Sequence, residues 1–299
     1  MADEARAVLA HLLVTVQDQK SRHYEKYAGW LQGSPGIEEF LFGCLRPGVV
    51  RWIEGGRGAG IDSWVLKLLK ATGGDIKGKG VYLHGILGLD RFTRKYIGQS
   101  TDLPLRIYKQ HMYFRYRRDH PSLHYFAVQR SSFDVFSILA VVPPPPSNQT
   151  PSQAPNFHDR PDLLLNILEM WLCLLFRSLP VASLHAYLPP GSLVSMGPPE
   201  SLNVALPLDQ GVEMGEREMV DIKAARDPLL REWFKLDEGE VAVVGSAATA
   251  RRAGGQRTER SEWGQREEVG GTEVSPVMMF IFLGAAVVLG FLMSNPGKR

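Results

Sequence analysis

The sequence predicts an α+β fold: a small central antiparallel or mixed sheet flanked by helices, an N-terminal helical extension and a C-terminal transmembrane helix. Three observations carry this expectation. β-formers cluster in short runs near the middle of the chain, Gly80-Val81-Tyr82-Leu83-His84-Gly85-Ile86 first among them. Apolar residues recur at helical spacing on both sides of those runs. Close to the end, residues 277–293 form an uncharged apolar run. With 299 residues and 44% hydrophobic content, the chain can bury one sizeable core and a second small unit.

The extension spans residues 1–75. Residues 5–31 read as one helix, with Leu9, Leu12, Leu13 and Val16 on its apolar face and a Gly/Ser/Pro loop to end it. Its first residues are acidic and lack the basic, then apolar, pattern of a secretory leader. Residues 48–54 read as a strand that runs into a glycine-rich loop and an amphipathic helix, 61–72. That order suggests a phosphate loop, but Ile61 and Asp62 stand where a lysine and a hydroxyl are required. The dinucleotide fingerprint lacks its third glycine, so no nucleotide cofactor is expected.

The central region, 78–206, opens with strands at 80–86 and 95–98 joined by a hairpin-like connection. Ser100 or Asp102 then caps a helix that tolerates Pro104 in its first turn. From Arg106, helical spacing gathers Lys109, Gln110, Tyr113 and Arg117 on one basic face. At ~100° per residue, His111 lies about 140° from Arg106, off that face. His84, two residues after Tyr82, shares the side of the strand that Tyr82 occupies.

Residues 123–130 and 133–142 read as two further strands with a turn at Ser131 and Ser132, and 143–161 as a proline-rich surface insertion. Residues 162–179 form the most apolar helix before the terminal run, with Asn166 and Glu169 its only central polar residues. A carboxylate set among Leu, Met, Trp and Phe is costly to desolvate without compensation. An arginine such as Arg106, or a metal ion, would supply it. Residues 207–236 read as a helical segment and 237–274 as a linker.

Charge is concentrated on the centre. Net charge is +2, yet 77–130 carries eleven Lys and Arg against three Asp and Glu. Such clustering favours phosphate-bearing partners. The two cysteines, Cys44 and Cys173, are far apart in apolar surroundings, which speaks against a disulfide scaffold or zinc site and for a reducing compartment.

At Gly80-Val81-Tyr82 and Tyr96-Ile97-Gly98 the sequence resembles the GIY-YIG nuclease family. Arg106 matches the family's helix arginine, and Glu169 is the candidate for its metal-binding glutamate. The span between the tripeptides is a few residues longer than the family's usual one, so a longer hairpin loop is expected. The resemblance implies a metal-dependent endonuclease that uses one Mg²⁺ or Mn²⁺ to hydrolyse nucleic acid, DNA in preference to RNA. Tyr82 would act as general base, helped by Tyr96, while Arg106 binds the scissile phosphate and Glu169 holds the metal. His84 and His111 are further catalytic candidates and Asn203 a further active-site amide, with Lys95, Lys109 and Arg117 toward substrate. An unperturbed tyrosine titrates near ~10, so Tyr82 needs positive charge nearby, from Arg106 or Lys95.

The run 277–293 spans ~25 Å as a helix and reads as a single-pass anchor. The rest of the chain would then face cytosol or nucleus from the endoplasmic reticulum, nuclear envelope or mitochondrial outer membrane. The competing expectation is an inactive, membrane-tethered nucleic-acid-binding or scaffold protein. A third is an interaction module built on the N-terminal helices.

Overall fold

Alternation along neighbouring strands organises the molecule. The computed structural model describes residues 2–55, 77–115, 122–145, 158–192, 202–211 and 227–235. The chain divides into two units, Met1–Val243 and Val244–Arg299. The second unit, with the expected membrane run 277–293, lies outside the described residues, as do the glycine-rich loop after Gly55, the helix expected at 61–72, and Arg117.

The fold is α+β with a three-stranded antiparallel sheet in the order β2-β1-β3. β1 is Gly80–Gly88, β2 Thr93–Ser100 and β3 Ser131–Val141. Odd-numbered Val81, Leu83 and Ile97 join the main hydrophobic core, whereas even-numbered Tyr82, Ile86 and Tyr96 face the other side. The β1–β2 connection is a tight turn closed by the Gly88 amide on the Phe92 carbonyl at 2.9 Å, with Arg91 at φ 66°. The connection is thus only residues 89–92, not the longer hairpin loop expected, and the strands themselves take up most of the residues between the tripeptides.

Both motif glycines answer to close approach. A Cβ on Gly80 would lie 2.2 Å from the Ala140 carbonyl oxygen of β3, and one on Gly98 would lie 2.5 Å from the Tyr82 hydroxyl. A side chain at either position forces the backbone or the tyrosine to move.

The apolar face is covered by helices from both ends of the described chain. α1 is Ala2–Gln17, α2 Tyr24–Gln32, α3 Ile37–Gly43 and α4 Pro47–Gly55. The single helix expected over 5–31 is thus two, interrupted by a turn in which the Ser21 amide bonds the Asp18 carbonyl at 2.8 Å. Residues 48–54 are helical and not a strand. Val49 and Ile53, four apart, are both buried, and Pro47 opens the helix where its missing N–H costs nothing.

α7, Pro161–Phe176, is the centre of this core and is buried along nearly its whole length. Its Trp171 is fully buried and donates its indole N–H to the Ala5 carbonyl at 3.1 Å. α8, Val181–Tyr187, follows at a bend of 112°. Among the described residues no single helix is long and apolar enough to cross a membrane. Residues of α1 to α4, the sheet and α7 form one continuous cluster, so the N-terminal helices share the sheet's core.

The other face of the sheet is covered by shorter elements. A π turn, Leu105–Gln110, continues into α5, His111–Arg115. α6, Leu123–Gln129, is a helix where a strand was expected. Tyr, Phe and Val suit a strand, but Leu123, Phe126 and Ala127 are buried together at helical spacing, and that packing wins. Residues 228–235 form α9, whose Leu229, Leu230 and Trp233 pack on Ile86 and α6. Asp227, just before it, accepts from the fully buried Arg94 at 2.6 Å, and Arg94 also reaches Asp90 at 2.6 Å.

Candidate functional site

The polar cluster grows out of the even-numbered face of the sheet. Strand register sets Tyr82 opposite Gly98 and His84 opposite Tyr96, which brings the Tyr82 and Tyr96 rings to 6.4 Å between centroids. Two side chains, one from the π turn and one from α5, converge on Tyr82. Arg106 Nε donates to the Tyr82 hydroxyl at 3.3 Å, and His111 Nε2 sits 2.7 Å from the same oxygen. The other ring nitrogen of His111 is 3.0 Å from the Tyr125 hydroxyl of α6.

The π turn makes this convergence possible. The His111 amide bonds the Arg106 carbonyl, an i to i+5 link that returns residues five apart to nearly one face. An α-helix would carry His111 away from Arg106; the π turn brings both onto Tyr82.

Beside the tyrosines lies a packed histidine network. His84 Nδ1 is 2.7 Å from His124 Nε2, and His84 Nε2 is 2.7 Å from Asp134 of β3, which also accepts from Arg115. His84 stacks on Phe136 at 3.8 Å and His124 on Tyr96 at 4.1 Å. Burial pushes the pKa of all three histidines down, His111 to about 3 with the Arg106 charge adding to the shift. His111 is therefore neutral near pH 7, one ring nitrogen donating and the other accepting.

Tyr82 and Tyr96 are pushed above the ordinary phenol range, chiefly by burial. Arg106 opposes the shift at Tyr82 without overcoming it. Lys95 gives no help: its ammonium is buried and donates to the Phe176 carbonyl at 2.6 Å, at the C-terminal end of α7. It ties β2 to α7.

Glu169 of α7 is 2% exposed, and its carboxyl is pushed up to about 8 by burial. Its charge contributes to the upward shift of both tyrosines. No arginine pairs with it among the described residues; it accepts instead from the Gln210 amide at 2.8 Å. Gln99 of β2 donates to Gln210 at 2.6 Å and to Asn166 at 2.7 Å.

Gln210 follows a 3₁₀ turn, Pro207–Asp209, that α2 and its entry turn hold in place. His23 and Arg22 engage Asp209 at 2.8 and 2.6 Å, and the Tyr27 hydroxyl donates to the Leu208 carbonyl at 2.9 Å. The N-terminal helices thereby fix the residue that touches Glu169.

Asn203 is spent on backbone. It accepts from the Ile97 amide at 2.9 Å and donates to the Ile97 carbonyl at 2.7 Å, closing the free edge of β2. Its amide is a structural clamp and not a free active-site group. Lys109 is exposed on the π turn. Much of the basic window is likewise committed, Arg94 to two aspartates, Arg115 to Asp134, and Arg130 to Glu232 at 3.2 Å.

His124, Tyr125, Asp134, Gln99 and Gln210 escape the sequence reading. His124 and Tyr125 were assigned to a strand, and the apolar spacing at Leu123, Phe126 and Ala127 is the signal that would have put them on a helix. Nothing local marks Gln210, whose place depends on contacts with residues far away in the chain.

Few donors are available here to a divalent ion. Among the described residues no group of three or more His, Cys, Asp or Glu side chains is arranged to hold a metal. Magnesium, however, commonly binds through one or two carboxylates, several waters and substrate phosphates. Glu169 supplies one carboxylate without a basic partner, and Gln99 Oε1, on the same amide chain, is buried without a hydrogen-bond partner. Comparison of the chain with family models, curated proteins and solved structures finds no match in any of the three.

Proposed function

We propose that the chain is a GIY-YIG-type endonuclease, anchored to a membrane through 277–293, that hydrolyses phosphodiester bonds of nucleic acid, DNA in preference to RNA. The observation that carries this reading is the meeting of Arg106 and His111 on the Tyr82 hydroxyl, with the buried carboxyl of Glu169, bonded to Gln210 and without a basic partner among the described residues, adding to the upward shift of both tyrosines. A core that needed only packing has no use for this polar convergence, which costs desolvation.

In this mechanism Tyr82 O–H donates to His111 Nε2, while His111 Nδ1–H donates to Tyr125. As general base Tyr82 acts from its phenolate, its own proton having gone to bulk solvent, and takes the proton of the attacking water; neutral His111 orients the Tyr82 oxygen. Arg106, held against Tyr82, stabilises the phenolate and presents its remaining N–H donors to a phosphate oxygen. Tyr96, pressed on Tyr82 and His124, keeps the base in place and excludes water. Glu169 with Gln99 would hold the Mg²⁺ or Mn²⁺, which when bound would supply positive charge beside the phosphate.

The test is cleavage of plasmid and branched DNA and of structured RNA by the full chain in detergent, with Mg²⁺ or Mn²⁺ titrated from zero. Metal-dependent cleavage that disappears in Glu169→Ala is expected. Cleavage indifferent to both metal and Glu169 contradicts the reading. Salt-sensitive binding without cleavage of any substrate would leave an inactive tethered binding protein in its place.

A further inference from the structure

The helix that delivers Arg106 and His111 to Tyr82 has a second face turned to solvent, and that face is aromatic. Leu105 is 41% exposed, Tyr108 63%, Met112 45% and Tyr113 71%. These positions repeat at the three-, four- and five-residue steps that line one side of the π turn and α5. Tyr108 has no hydrogen-bond or ring partner among the described residues, and Tyr113 meets only its neighbour Phe114, edge to face at 5.4 Å. An exposed apolar stripe of this kind marks a contact surface.

The charge on the same stretch says what kind of partner it meets. Residues 105–115 contain Arg106, Lys109 and Arg115 and no acidic residue. Arg115 is occupied by Asp134, but Lys109 is exposed between Tyr108 and Tyr113. Arg106, which bonds Gln110 at 3.1 Å, belongs to the same π turn, so this row lies within a turn or two of the arginine proposed to hold the phosphate. Flat rings interleaved with cations suit a strand whose bases are free to stack and whose backbone is anionic. Paired bases inside a duplex offer no open ring face.

We infer that Tyr108 and Tyr113 form a stacking platform for unpaired nucleotides next to the scissile phosphate, so that the preferred substrate is a duplex bearing a single-stranded arm or branch. This rests on the nuclease reading above and narrows its substrate.

The experiment compares binding and cleavage by the full chain of a blunt DNA duplex and of the same duplex with a single-stranded arm, 2-aminopurine replacing the arm base at the junction. Wild type, Tyr108→Ala/Tyr113→Ala and Tyr108→Phe/Tyr113→Phe are measured. The expected result is tighter binding of the armed substrate with quenched 2-aminopurine. In the alanine variant that advantage falls at least about fivefold, the lower end of what one stacked base contributes. The phenylalanine variant keeps it, and blunt-duplex binding is unchanged in all three. Equal treatment of both substrates by all three proteins, with cleavage still dependent on Glu169, overturns the platform and leaves the nuclease intact. That result would return the stripe to a protein or lipid contact. Failure to bind or cleave either DNA overturns the nuclease reading and the platform with it.

Discussion

The two faces of the sheet are made by the same strands and do opposite things. On one, Val81, Leu83 and Ile97 join the apolar residues of α7 in the main core, with Gln99, Asn166 and Glu169 as its polar exceptions. On the other, one residue along each strand, Tyr82, His84 and Tyr96 meet Arg106, His111 and His124. Apart from those three, the first face wants shape and volume, which many side chains satisfy. The second wants particular atoms at hydrogen-bond distance, and buries groups whose pKa values it must shift. Alternation lets a nine-residue strand serve both, the apolar face supplying the stability that the polar one spends.

The contrast breaks most forcefully at α7. Trp171→Ala empties the apolar face and should cost ~3–5 kcal/mol, read as a lowered urea midpoint, while cleavage per folded molecule stays constant. Gly98→Ala attacks the boundary between the faces, since its new methyl meets the Tyr82 hydroxyl. Overpacking there should cost ~1–3 kcal/mol of stability, and cleavage should fall by more than the lost folded fraction explains.

Glu169→Gln sharpens the comparison through pH. The Glu169 carboxyl ionises near 4.5 in an unfolded chain and at about 8 in the fold, so between those values unfolding releases a proton. This group therefore makes the protein less stable as pH rises from about 5 to 8. The Gln variant should flatten that slope in denaturation curves at pH 5 and pH 8, while losing metal-dependent cleavage. Smallest is Tyr125→Phe, which removes the partner of His111 Nδ1 and should cost ~0.5–1.5 kcal/mol in stability with a few-fold slower cleavage.

The sequence made the two faces unequally legible. Helix α7 and the strands β1 and β3 follow from local pattern, because each depends on residues close in the chain or on apolar periodicity, whereas Arg106 beside Tyr82 is expected only from the family resemblance. His111 did not follow, since a helix drawn with ordinary spacing turns it away, and only the π turn returns it. Lys95 and Asn203 looked chemical because their types are polar. Their neighbours, the end of α7 and the open edge of β2, turn them into ties, and those neighbours are set by tertiary contact. α4 and α6 defeated a strand reading for a related reason: β-branched and aromatic residues suit either element, and packing decides.

Tyr82→Phe tests the central claim most directly, since it removes one oxygen from the polar face and leaves the apolar face untouched. Stability and single-turnover DNA cleavage would be measured on the same preparation of the full chain. The account predicts a stability change within about 1.5 kcal/mol and a loss of cleavage of at least about 100-fold. Cleavage at the wild-type rate by a folded Tyr82→Phe protein would contradict it.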